Sequence, residues 1–218
     1  MKMKITNWDE MSIAAYQELL EICEVPEAED VEIGIVGLLC GVEEKDILAL
    51  PLPEFQALRK AAQFVADFPA IHPNCPKNIV LNETKYEITR DVRKMTTGQY
   101  IDFQAYSKIE FNKALVDIIS CFLIPQGFEY GEGYDMDKVK NDIREYMSVV
   151  VAYSMSAFFF RQLQVLTRAT LLFSERVMKK TLRKTKDEET KKEMTEALQI
   201  MKELRSKISG DGLKVLGQ

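Results

Sequence analysis

Apolar residues return every three or four positions over most of this chain, a spacing that predicts helices. Ile13, Tyr16, Leu19, Leu20 and Cys23 share one face of a segment from Asp9 to Cys23. Asp9 or Ser12 is placed to cap its first amides, and Pro26 to end it. Val31, Ile35, Leu38 and Leu39 mark a second helix from Glu29 to Cys40, closed by Gly41 in the position that favours left-handed backbone. A short helix is expected from Glu43 to Leu48. Pro53 then suits the first turn of another, running to Phe68 with Phe55, Leu58, Ala62 and Val65 inward.

The pattern breaks at Pro69-Ala70-Ile71-His72-Pro73-Asn74-Cys75-Pro76, where three prolines exclude helix. Asn78-Ile79-Val80-Leu81, the pair Asn82-Glu83 and Thr84-Lys85-Tyr86-Glu87-Ile88-Thr89 read as a β-hairpin. A hairpin alone is marginal, so it must lie against the helices. Helical spacing resumes at Thr96 or Thr97, with Tyr100, Phe103 and Tyr106 inward, and again from Phe111 to Leu123, stopped by Pro125. Gln126 to Tyr134 is glycine-rich and irregular, its Phe128, Tyr130 and Tyr134 expected to dock on the body. Asp135 or Asp137 opens the next helix, through Val139, Ile143 and Tyr146.

The longest helical stretch runs from Ser148 to Lys184. Its first half is apolar nearly all round, which implies burial on several sides. Its second half thins to Leu166, Thr170, Phe173 and Val177. Met194, Ala197, Leu198, Met201, Leu204 and Ile208 then recur at steps of three and four in a highly charged background, as in a surface helix or a two-helix arm. The expected fold is therefore mainly α: a multi-helix body over residues 1–174 with one small β-hairpin near 78–89, and a long amphipathic arm with a short tail over 175–218.

Composition fits a globular chain able to bury a core, with 46% hydrophobic and 29% charged residues. Cys23, Cys40, Cys75 and Cys121 form no CxxC pair, and the expectation is reduced thiols. The N-terminus lacks the apolar run of a signal peptide. Val149 to Phe160, the most apolar run, is shorter than a bilayer and is followed by Arg161 and Arg168, so no membrane span is expected.

Groups able to carry chemistry are sparse. His72 is the single histidine, with Cys75 three residues on; a nucleophile–base pair there stands against simple loop packing, and a zinc site lacks a second ligand pair. Asp135 to Asp142 has aspartates at 135, 137 and 142 but no glycine or glutamate where a calcium loop needs them, so helix capping is the expectation. Gly127, Gly131 and Gly133 sit among glutamates that would repel phosphate. No carboxylate pair stands out as acid and base. The reading is of a protein without catalytic residues, metal or cofactor.

Charge is segregated. The first 54 residues carry 13 acidic and three basic side chains, whereas Arg176, Lys179, Lys180, Arg183, Lys184 and Lys186 form a basic run uninterrupted by acids. Three readings stand: a solvated helix end favoured by the helix dipole, a surface that meets an acidic face of this or another chain, or a nucleic-acid contact. The last lacks aromatic residues interleaved for stacking on bases.

Thr6-Asn7-Trp8-Asp9-Glu10 before a helix ending Leu19-Leu20-Glu21-Ile22, the stretch from Phe64 to Pro69 before a small hairpin, Thr96-Thr97-Gly98-Gln99-Tyr100-Ile101-Asp102-Phe103, and Phe122-Leu123-Ile124-Pro125 follow one another in order. In this order they resemble bacteriophage morphogenesis proteins, in particular tail-assembly chaperone-like and related virion proteins. The resemblance covers roughly residues 5 to 165 and leaves the charged arm unmatched. It implies a non-enzymatic protein that binds other phage structural or tail proteins, in the host cytoplasm during assembly or as part of the virion. On this reading Met194, Leu198, Met201, Leu204 and Ile208 bury against another helix, of the same copy or of a partner in a homo- or hetero-oligomer. Arg176, Lys179, Lys180, Arg183, Lys184 and Lys186 supply the charge contacts. The alternative is a regulatory or nucleic-acid-binding helical module using the basic run 176–186.

Overall fold

The computed structural model describes residues 1–25, 28–185 and 187–210, without the side chains of 28, 29 and 208–210. The chain divides into two units, Met1–Ala157 and Phe158–Gln218.

In the first unit, α1 spans Ile13–Cys23 and is capped by Ser12, whose Oγ accepts from the Ala15 amide at 3.2 Å. It begins four residues later than the spacing predicts. Asn7 Oδ1 accepts from the amides of Asp9 and Glu10 at 2.9 and 3.2 Å, so these residues are held in a turn that competes with helix. α2 (Ala28–Cys40) packs on α1 and on the short α3 (Glu44–Leu48). Gly41 follows α2 at φ 63°, the left-handed conformation expected there.

α4 (Leu52–Ala61) passes into a 3-10 turn over Ala62–Ala66 instead of continuing to Phe68. The cause is Trp8. Its indole N–H lies 3.0 Å from the carbonyl of Phe64 and 2.9 Å from that of Asp67, taking acceptors that a longer helix would use itself. The ring packs edge-on against Tyr16, Phe64 and Phe68 and ties the chain's first residues to this corner.

β1 (Asn78–Leu81) and β2 (Thr84–Ile88) form the expected hairpin, with Asn78 opposite Glu87 and Leu81 opposite Thr84. Asn82 and Glu83 take φ values of 45° and 64°, the doubly left-handed turn that matches strand twist. The sheet has a third strand that helical spacing concealed: β3 (Leu123–Pro125) pairs antiparallel with β2, Ile88 facing Leu123. Without it, the second edge of β2 would lack partners.

α5 (Thr97–Tyr106) opens with a capping box: Thr96 Oγ1 accepts from the Gln99 amide and Gln99 Oε1 from the Thr96 amide. Buried Gln99 also donates to the Cys121 carbonyl at 2.8 Å, where α6 (Phe111–Ser120) gives way to β3. α7 (Met136–Tyr146) packs on α6 and α1. Its Asp142 is 1% exposed and accepts from Tyr86 Oη at 2.6 Å and Asn82 Nδ2 at 3.1 Å, so a buried carboxylate joins helix to sheet. Leu115, Ile118, Ile119, Phe122, Ile143 and Met147 fill the core. α8 (Val149–Leu182) starts here, its first turn set by the bond from the Val149 amide to the Met11 carbonyl at 2.8 Å.

α8 continues into the second unit, where α9 (Glu188–Gly210) follows it. The fold is mainly α, with one small antiparallel sheet and long C-terminal helices.

Candidate interaction site on the helical arm

In the second unit, α8 and α9 are separated only by residues 183–187. On a straight helix, Glu175 and Arg205 would stand about 45 Å apart. Instead, Arg205 Nη1 lies 2.9 Å from Glu175 Oε1 and 3.1 Å from Oε2, so the chain reverses into a helical hairpin. Asp187 opens the return helix, accepting from the Thr190 amide at 2.8 Å. Glu175 is 4% exposed, and Lys179 stands 3.9 Å from it on the preceding helix. This buried carboxylate is tolerable because a guanidinium faces it.

Leu198 is buried, while Met194, Ala197 and Met201 are half-buried on the same side of α9. Leu204 is 46% exposed. The Ile208 side chain lies outside the described residues. On the last part of α8, Glu175 is buried and Leu171, Leu172, Ser174, Met178 and Leu182 are half-buried. Of the stripe expected there, Leu166 is half-buried and the rest turns away: Thr170 is exposed, Phe173 is 67% exposed and Val177 48%. Spacing finds an apolar stripe but does not say which stripe the partner helix covers.

Arg176, Lys179, Lys180, Arg183 and Lys184 are all exposed, whereas Lys186 lies outside the described residues. α9 has an opposite character. At 100° per residue, Glu189, Glu193, Glu196, Ile200, Glu203 and Leu204 fall on the side away from Leu198, and all six are exposed. Sequence reading did not single out Ile200, 58% exposed, or the Glu175–Arg205 pair. A signal for the pair existed: Glu175 is the one acidic residue between Glu145 and Asp187.

His72 is exposed and Cys75 buried, its thiol within 3.5 Å of the Pro76 carbonyl. Burial pushes that thiol up to about 11, away from the thiolate a nucleophile needs. Asp135 caps α7, accepting from the amides of Asp137 and Lys138. In the glycine-rich loop, Tyr130 donates to Asp102 at 2.7 Å and so docks on α5. Phe128 stays 48% exposed and packs edge-on against Tyr134 within the loop. Among the described residues, no three His, Cys, Asp or Glu side chains gather as metal ligands.

An open groove of about 830 Å³ beside α1 is rimmed by Glu18, Glu21, Glu24, Glu110 and Glu145, with Lys113 and Arg144 among them. It carries forward the acidic character of the first part of the chain. α8 is long and apolar enough to cross a bilayer, with an 18-residue window of mean hydropathy 1.3; 39% of that window is buried within the protein.

No family model, no curated protein and no solved structure matches this chain.

Proposed function

We propose that this protein is a non-enzymatic interaction component of phage particle assembly or structure, working through helical surfaces and above all through its C-terminal arm. One observation carries the reading. The helical hairpin holds four large apolar side chains toward solvent, Phe173, Val177, Ile200 and Leu204, amid charges sorted by helix. Isolated exposed apolar residues are ordinary, but pairs at helical spacing on both helices of one arm suit a contact surface. The order of sequence features shared with phage morphogenesis proteins supplies the biological setting: other tail or virion proteins as partners, met in the host cytoplasm and kept or shed on completion.

The test is light scattering of the purified chain mixed with candidate tail and virion proteins. A complex is expected, and Phe173→Asp with Ile200→Asp abolishes it while circular dichroism stays unchanged. Leu198→Asp is the wrong variant for this purpose, since Leu198 is buried and its loss disrupts the hairpin itself. If no candidate forms a complex, the proposal fails.

A second reading, a nucleic-acid-binding module, has the exposed cations from Arg176 to Lys184 in its favour. It requires DNA affinity that falls steeply with salt. The exposed glutamates on the adjoining helix of the same hairpin oppose it.

A further inference from the structure

We propose that a second copy of this chain docks on the arm, the outer face of α8 in one copy meeting the outer face of α9 in the next. This deepens the assembly reading and rests on it. Three observations choose a second copy over another occupant.

The first is charge. The single acidic residue of α8 is Glu175, which is buried, so the exposed ionic surface of that helix is wholly cationic. The outer side of α9 carries Glu189, Glu193, Glu196 and Glu203 against Lys192 and Lys207. Two α8 faces would repel each other, and so would two α9 faces; α8 on α9 attracts.

The second is register. Val177, Lys180 and Lys184 follow Phe173 by four, seven and eleven residues. Lys184 lies just past the end of α8, but the bonds from the Lys184 and Thr185 amides to the Thr181 carbonyl keep the backbone on a helical course. Ile200, Glu196 and Glu193 precede Leu204 by four, eight and eleven. Laid antiparallel, the two helices set Phe173 and Val177 against Leu204 and Ile200, and Lys180 and Lys184 against Glu196 and Glu193. Eleven residues are about 16 Å of helix, so apolar and ionic contacts align over one continuous strip.

The third is exposure. All four apolar residues of that strip lie open in the single chain, from 46% to 67% exposed, although each sits one helical turn from its fellow. The face of one copy meets a different face of the next, so the contact is head-to-tail: it repeats, closing into a ring or extending as a filament.

Sedimentation velocity of the full chain tests this. Wild type is expected to sediment as species heavier than one chain, weakening with added salt. K180E/K184E and E193K/E196K should each sediment as monomers with unchanged circular dichroism. Their equimolar mixture should regain association, because the two altered faces fit each other and so do the two unaltered ones. A wild type that is monomeric up to its solubility limit overturns the proposal, as do variants that associate unaided. Should a variant misfold, carbodiimide coupling of mixed 14N- and 15N-labelled wild type decides. Amide links between Lys180 or Lys184 of one copy and Glu193 or Glu196 of the other are expected, and links confined to single copies overturn it. Binding of duplex DNA or anionic vesicles by a chain that remains monomeric also overturns it. Failure here leaves the broader assembly reading standing if hetero-complexes form in light scattering; failure there leaves self-association to be judged on its own.

Discussion

Glu83 occupies the second turn position between β1 and β2 at φ 64°, where a side chain crowds the following carbonyl. The left-handed conformation costs a residue with a Cβ about 1–2 kcal/mol, whereas glycine loses about 0.5–1 kcal/mol of chain entropy on being ordered. Glu83 is exposed, so little packing is lost with it. Glu83→Gly should therefore stabilise the protein by about 0.5 kcal/mol or more, read as a higher urea midpoint; an unchanged or lower midpoint refutes the account. The turn itself was legible, because Asn-Glu separates two strand-like runs. The caps Ser12, Thr96 and Asp135, which depend only on neighbours in sequence, were each legible as one of two candidates. Residues whose partners are distant were not. Trp8 gave no hint that its indole would end a helix 56 residues on, nor Asp142 that it would be buried under Tyr86.

The arm hairpin depends on a pair that ordinary amphipathic spacing cannot reveal. Removing Arg205 leaves the Glu175 carboxylate buried, with Lys179 at 3.9 Å as its remaining ion-pair partner among the described residues. Stripping one partner from a buried pair typically costs about 3–5 kcal/mol, whereas replacing both with apolar groups is near neutral. Arg205→Ala should loosen the hairpin, seen as faster amide hydrogen exchange over residues 158–207 with exchange in the first unit unchanged. Arg205→Met combined with Glu175→Leu should restore slow exchange. If Arg205→Ala exchanges like wild type, the pair does not hold the hairpin. The same element shows where reading from sequence stops. Apart from the end of α4, helix positions emerged from spacing to within a few residues, yet the face of α8 that α9 covers did not, because Leu171, Met178 and Leu182 and the pair Phe173 and Val177 are two apolar stripes on one helix. Only the second helix decides between them. β3 stayed hidden for a related reason: three apolar residues at a helix end, Leu123 to Pro125, have no period of their own.

At the scale of the molecule, a set of thiols and phenols is held in the neutral form. Burial pushes the Cys75 thiol up to about 11 and the Cys121 thiol up to about 12, and raises that of Cys40. It is the main cause that raises Tyr86, Tyr130 and Tyr153 too; hydrogen bonds to Asp142 and Asp102 add to the first two, and the Tyr16 hydroxyl to the third. Each of these groups keeps its proton in the folded chain at a pH where the unfolded chain has lost it. The folded state thus binds more protons at alkaline pH, and stability falls as pH rises. The fall starts where free thiols titrate, near about 8.5, and steepens near about 10 as free phenols follow. All these groups contribute fully at neutral pH, so the urea midpoint should be flat through that range and decline steadily above it. Cys121→Ala should shallow the decline, because that thiol no longer has to be kept neutral, although the variant starts from a lower midpoint through its lost packing. A midpoint as high in strongly alkaline buffer as at neutrality would show that these thiols and phenols are not held in dry surroundings. The core that positions α8 would then be looser than its near-zero exposures describe.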